Sequence, residues 1–336
     1  MTTNKQRLID LLAMGRVANL PTVVSNVLVG CLLGLIFQNN WQGLHPLIAP
    51  CIAGCLLYLG GCFLNDWKDS QWDAKHKPDR PIPSHRWSQR SILTLSFLLI
   101  LTGLLVAIKI NTSSLVVAFL ITIAICIYTH IHKKTAWSII PMGACRALLY
   151  YLGFFSQTDM TRMMAEFSFG FSAYSHDSYY LTLHLASFVI FAIPSLGILS
   201  YIAGLSLLAR FEAKGSLSRS NKVVALFLLF LPALTHSFIG ALRVPIISLL
   251  ATIPFIICVI ASARLIKKSV AQGVSLLLAS ITSLDLIIFI PLAYSDEFSR
   301  IHFSSSTTLN QLLIFPAAAV IAFFLSLLLQ RIAPAT

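Results

Sequence analysis

The chain has 336 residues, of which 57% are hydrophobic and 11% charged, with a formal net charge of +12. A soluble globular domain carries about 25% charged residues, so a soluble protein is excluded and an integral membrane protein is expected. The positive balance requires no nucleic-acid partner, because basic loops, anionic lipid headgroups and anionic substrates account for it.

A helix needs roughly 20 apolar residues to cross the roughly 30 Å hydrocarbon core of a bilayer. Runs of that kind lie near residues 18–37, 46–64, 91–108, 113–129, 139–155, 183–208, 223–241, 245–263, 273–294 and 309–330. Ten spans are expected, or nine if one run lies flat or re-enters. With ten, all but five of the 24 basic residues fall on the side of the two termini: Lys109, Arg162, Arg243 and Arg300 lie opposite, and Arg146 lies within the fifth span. Loops rich in Lys and Arg stay cytoplasmic, so both termini are expected there. The first run is as long as a span and lacks a small-residue cleavage pattern, so a cleaved leader is not expected. The polar stretches 65–90 and 156–182 are too short to build cores of their own, and residues 1–336 are read as one transmembrane domain. The seven cysteines are scattered without a CxxC pair, as small apolar residues would be.

The second span runs into Asn65, Asp66, Asp69 and Asp73, the acids standing at i, i+3 and i+7 on one face of a helix. Like charges at this spacing repel unless cations sit among them. Hard oxygen ligands select Mg²⁺ or Ca²⁺, and Mg²⁺ takes up phosphate oxygens readily, so one reading is a metal site for a diphosphate. The other is a solvated helix end balanced by Lys68, Lys75 and Lys77. In the following KPDRPIPS, Pro78, Pro81 and Pro83 forbid a helix. The chain must turn there, keeping Arg80 near the acids, either as a bidentate phosphate ligand or as a partner of Asp79 or a helix cap. Lys133 and Lys134 follow the fourth span on the same side, as anion ligands or as topology determinants.

These residues carry a family resemblance. The NDxxDxxxD pattern of Asn65, Asp66, Asp69 and Asp73, followed by DRPIPS, resembles the first motif of the UbiA superfamily of intramembrane prenyltransferases. Tyr128, Lys133 and Lys134 in YTHIHKK, and Arg16 and Asn19 in RVANLPTVVSNVLVG, are similar to further positions of that family. The resemblance implies an all-α polytopic bundle, Mg²⁺, an isoprenoid diphosphate donor and a lipophilic or aromatic acceptor, in a bacterial inner membrane. It implies that Arg16 and Asn19 line the site. Where the family has a second Asp-rich helix end, after the sixth span, this chain reads YIAGLSLLARFEAKG. Ser206, Arg210 and Glu212 are the only candidates there, with Arg210 either replacing the charge of a second metal or serving as an ordinary basic loop residue. LSxxARxE is similar to a UbiA-like subgroup of unsettled chemistry from bacterial and algal gene clusters. An altered UbiA-like protein that binds or translocates a lipophilic molecule is therefore the alternative to a prenyltransferase. A charge inside a span is costly and marks a functional site by default. On that ground Arg146, about two turns into the fifth span, is expected to face the bundle interior and the diphosphate, the other reading being a long reach to the cytoplasmic face, and Asp285, in the ninth span, is expected to pair with a buried polar group or line a cavity.

Overall fold

A computed structural model describes residues 4–38, 43–159, 178–212, 219–241, 244–294 and 313–333; within these, the side chains of 136, 178–191, 210–212, 219–222 and 239 lie outside the description. Every regular element among the described residues is helical: α1 (Asn4–Met14), a short 3-10 turn (Val17–Asn19), α2 (Leu20–Gln38), α3 (His45–His76), α4 (Gln89–Ile110), α5 (Thr112–Ile131), α6 (Ile139–Gln157), α7 (Ser178–Glu212), α8 (Arg219–Ala241), α9 (Pro245–Ile266), α10 (Val270–Ala293) and α11 (Ile314–Ile332). Nine helices of the described set are long and apolar enough to cross a membrane, and a shorter apolar stretch, Val223–Phe238, lies in α8. The expected all-α bundle of nine to ten spans is thus present, in an integral multi-pass membrane protein.

Local chemistry sets the helix ends. Ser88 accepts a hydrogen bond from the Ser91 amide at the start of α4, and Asn111 from the Ser114 amide at the start of α5, which satisfies donors that a helix start leaves orphaned. Pro78 ends α3, since the residue before a proline is pushed out of the helical region. The outer helices turn apolar side chains outward: Phe97, Leu101, Leu105 and Ile108 form an exposed stripe at helical spacing on α4. Lipid would cover such a stripe, and water would not tolerate it.

The core is built around α2 and α10. The α10 segment Leu277–Phe289 is buried on every side, as expected of a helix apolar all round. α2 runs beside α6 in the same direction, and glycines allow the two backbones to touch. A Cβ on Gly30 would lie 1.9 Å from the Tyr150 carbonyl oxygen, and one on Gly153 would lie 2.0 Å from that of Val27. This small-residue contact aligns Thr22 and Asn26 of α2 with Arg146 of α6.

Alanine at Gly30 must push the helices apart, because the obstacle is backbone. Gly30→Ala is therefore expected to destabilise the protein by about 1–3 kcal/mol, read as a lowered thermal midpoint in detergent. Gly61→Ala, whose Cβ would meet only the Ile125 side chain at 3.1–3.2 Å, should change the midpoint far less.

Candidate functional site

At 32 residues, α3 is about 48 Å long at 1.5 Å per residue, well beyond the roughly 30 Å of a bilayer core. The surplus carries Asn65, Asp66, Asp69 and Asp73 to one mouth of the bundle. These acids repel one another, and Asp73, in the last turn, also faces the negative end of the helix dipole. The fold answers with a cation for each. Arg80 Nη1 donates to Asp73 Oδ2 at 2.8 Å and lies 4.0 Å from Asp66 Oδ1, which is 3.6 Å from Arg16 Nη2. Asp69 Oδ2 is 3.0 Å from His132 Nε2 and 3.4 Å from Lys133 Nζ, and it also accepts from Asn65 Nδ2.

The turn that positions Arg80 is the one its prolines dictate. Residues 77–88 contain no helix, and Ser84 Oγ and the Trp87 amide donate back to the carbonyls of Arg80 and Pro81. Arg86 fastens this turn to α1 through two bonds to the Asp10 carboxylate, at 2.8 and 3.3 Å, and one to the Asp79 carbonyl. Arg16 adopts a left-handed conformation, φ 45°, between α1 and the 3-10 turn. For a residue with a Cβ this costs about 1–3 kcal/mol, and it points to a backbone held for the sake of its side chain.

Of these groups, Arg16, Asn65, Asp66 and Arg80 line a cavity of about 800 Å³, while Asp69 and Asp73 are not among its lining residues; the volume is within the usual range for a ligand site. Its polar end is lined by Arg16, Asn19, Tyr58, Asn65, Asp66, Lys77, Arg80, Tyr128 and Arg146, and its apolar wall by Ile121, Ile125, Met142, Leu149, Ile202, Leu205, Val274 and Leu278. One compartment thus combines charged groups with an oily wall.

The buried Arg146 points inward, as its position in a span suggested. It donates to Thr22 Oγ1 at 3.0 Å and Asn26 Oδ1 at 3.2 Å, and its guanidinium carbon lies 5.2 Å from the centre of the Tyr58 ring. The Tyr58 hydroxyl accepts from Asn19 Nδ2 at 2.9 Å. Ser206 is also buried at the cavity wall and donates to Met142 Sδ. Two expected ligands stand elsewhere: Lys133 lies over the Trp72 ring at 3.5 Å and beside Asp69, while the exposed Lys134 sits 3.4 Å from His130 Nε2. The Arg210 and Glu212 side chains lie outside the described residues. Tyr58 and Lys77 reach the cavity without having been singled out as ligands. Lys77 opens the KPDRPIPS motif and could have been found there, whereas Tyr58 carries no sequence signal.

The oxygens suit a hard cation. Asn65 Oδ1, Asp66 Oδ1 and Asp73 Oδ1 are buried without a hydrogen-bond donor, where a buried acceptor normally has one. Among the described residues no three His, Cys, Asp or Glu side chains converge to cage an ion by themselves. Mg²⁺ needs no such cage, because it keeps waters and takes phosphate oxygens beside one or two carboxylates. The donor set therefore fits Mg²⁺ shared with a phosphorylated ligand.

Removing Arg80 would leave Asp73 buried without its donor. Arg80→Gln is expected to lower stability by about 1–3 kcal/mol in metal-free buffer. Because Mg²⁺ can supply the missing charge, its addition should raise the thermal midpoint of this variant more than that of the unaltered protein. Equal shifts in the two proteins would place the cation away from Asp73.

The chain is 41% identical over 87 residues to a digeranylgeranylglyceryl phosphate synthase of Methanothrix thermoacetophila, covering 26% of this chain and 33% of that protein. It is 27% identical over 148 residues to the synthase of that name from Saccharolobus solfataricus, covering 43% and 52%. The matches therefore span only a third to about half of these relatives. A solved structure described as digeranylgeranylglyceryl phosphate synthase in membranes shares the fold, with a TM-score of 0.54 and 17% identity over 94% of this chain and 99% of that one. The UbiA prenyltransferase family matches residues 27–284, the stretch that holds the acid helix, Arg80, the Lys133 loop, Arg146 and the first part of α10, and the chain belongs to that family.

Proposed function

We propose that the protein transfers an isoprenyl group from its diphosphate to a lipophilic acceptor at the mouth of this cavity, with Mg²⁺. The observation that carries the reading is the union of two halves in one 800 Å³ compartment: cations and donor-free oxygens at the polar end, apolar side chains beyond. A prenyl diphosphate has the same two halves.

Asn65, Asp66 and Asp73 would hold the metal, with Asp69 holding the His132–Lys133 loop against α3. When bound, Mg²⁺ supplies charge that neutralises the departing diphosphate. Arg16, Lys77, Arg80 and Arg146 bind the phosphates and offset the negative charge that grows as the allylic carbon–oxygen bond breaks, its electron pair leaving with the diphosphate. The apolar wall excludes water from the allylic cation. The acceptor's lone pair then forms the new bond to carbon, and its proton leaves with the diphosphate.

The acceptor class can be narrowed by charge. The lining carries the cations Arg16, Lys77, Arg80 and Arg146 beside Asp66, with Arg80 also bonded to Asp73. Cationic donors beside an apolar wall suit an acceptor that is anionic as well as lipophilic. A prenylated glycerol phosphate, the class that the relatives' names imply, has both properties. The basic loops argue that both termini and the cavity mouth are cytoplasmic. The relatives are archaeal, and the bacterial membrane expected from the resemblance gains no support from them. A second reading, a carrier that binds a lipophile without chemistry, draws on the internal pairing of Asp69 and Asp73.

Purified protein given Mg²⁺, geranyl, farnesyl or geranylgeranyl diphosphate and a panel of glycerol phosphate, quinone-precursor and neutral lipid acceptors decides between the two. The expected outcome is prenylated product from an anionic glycerol phosphate acceptor, reduced at least about 10²-fold by Asp66→Asn. Phe97→Ala on the outer face of α4 should leave the rate unchanged. Saturable lipid binding with no diphosphate release from any donor would favour the carrier.

A further inference from the structure

Asp285 lies in the middle of α10 with 0% of its surface exposed. An ionised group at such a depth is expensive and is a functional-site hypothesis by default. It has no cation in contact among the described residues. Its carboxylate accepts instead from Ser25 Oγ at 2.5 Å, from Asn26 Nδ2 at 3.0 and 3.2 Å, and from the Tyr150 hydroxyl at 2.6 Å. Three neutral donors from α2 and α6 thus converge on one acid of α10, and Tyr150 extends the cluster to His236 of α8 at 3.1 Å.

The orientation of Asn26 gives the cluster a direction. Its amide nitrogen faces Asp285 and its amide oxygen accepts from Arg146. A negative group at one end and a guanidinium at the other both favour this one of the two possible flips, and hydrogen bonds in series strengthen one another in a low dielectric. Arg146 then stands at the cavity, tied to Asp285 through an intervening amide. A direct carboxylate partner would compete with any anion for its donors, whereas an amide carbonyl takes one donor and leaves the rest.

We propose that Asp285 is a positioning residue for Arg146, acting through the Asn26 side chain to hold the guanidinium at the cavity for a diphosphate. This rests on the proposed role of Arg146 as a phosphate ligand. It adds that the acid responsible for holding that ligand lies on a different helix, outside the acid motif, and touches no substrate.

The test is a double-mutant cycle on full-length purified protein, with inorganic pyrophosphate plus Mg²⁺ and, separately, farnesol as binding probes. Asp285→Asn and Arg146→Gln are each expected to weaken pyrophosphate binding about tenfold, as loss of a charge-assisted hydrogen bond does. The double variant should be no weaker than Arg146→Gln by more than about twofold, because both changes interrupt one path. Farnesol, which has no phosphate, should bind all variants alike. Asn26→Ser cuts the same link while leaving Asp285 its Ser25 and Tyr150 donors, and it should repeat the result if Asp285→Asn is recovered poorly. Multiplying losses in the double variant, a parallel loss of farnesol binding, or full pyrophosphate affinity in both Asp285→Asn and Asn26→Ser would overturn the inference. Full affinity in Arg146→Gln would instead overturn the reading of Arg146 on which it rests.

Discussion

Three carboxylates at the negative end of one long helix, beside an apolar bundle, constrain everything near the site. Without cations they would repel one another, and Asp73 would also face the negative helix end. The protein brings those cations from three separate directions: Arg16 from the break before α2, Arg80 from the proline turn, and Lys133, next to the Asp69 partner His132, from the loop after α5. Charge neutralisation thus doubles as assembly of the cavity mouth. The pairing stops short of completion, since Asn65, Asp66 and Asp73 each keep an oxygen without a donor. What remains is a place where a divalent cation improves the local balance.

A second charge problem lies deeper and is solved in another way. Arg146 and Asp285 are buried in different helices and do not touch; Asn26 bridges them. The bridge depends on α2 and α6 meeting at Gly30 and Gly153, where a single methyl group would separate the helices. Backbone packing in the apolar core therefore sets the position of a cation at the cavity. The two charge systems meet at Tyr58, whose ring faces Arg146 and whose hydroxyl accepts from Asn19.

Much of this was legible in the sequence, and the rest was not for identifiable reasons. Apolar runs gave the helices because a bilayer fixes their length, and KPDRPIPS gave the turn because proline chemistry is local. The i, i+3, i+7 spacing gave the acid face, and burial of a charge marked both Arg146 and Asp285. Partner choice was hidden: Asn26 and Asp285 are 259 positions apart, and Tyr150 and Asp285 are 135 apart, so no local pattern links them. The sequence puts Lys133 at the same end of the bundle as the acids, but its contact with Asp69 and the face of Trp72 depends on how α5 ends against α3. Tyr58 reads as one more aromatic residue until the bundle closes around it.

A single compartment that is charged at one end and apolar at the other, and that completes its charge balance with a metal-bound diphosphate, is the central claim. Calorimetric titration of the purified protein with a non-reactive prenyl thiodiphosphate, with and without Mg²⁺, tests it most directly. The account predicts one ligand per chain, Mg²⁺-dependent binding, and competition by both inorganic pyrophosphate and the matching prenyl alcohol. Binding that is indifferent to Mg²⁺ and displaced by the alcohol but not by pyrophosphate would contradict it.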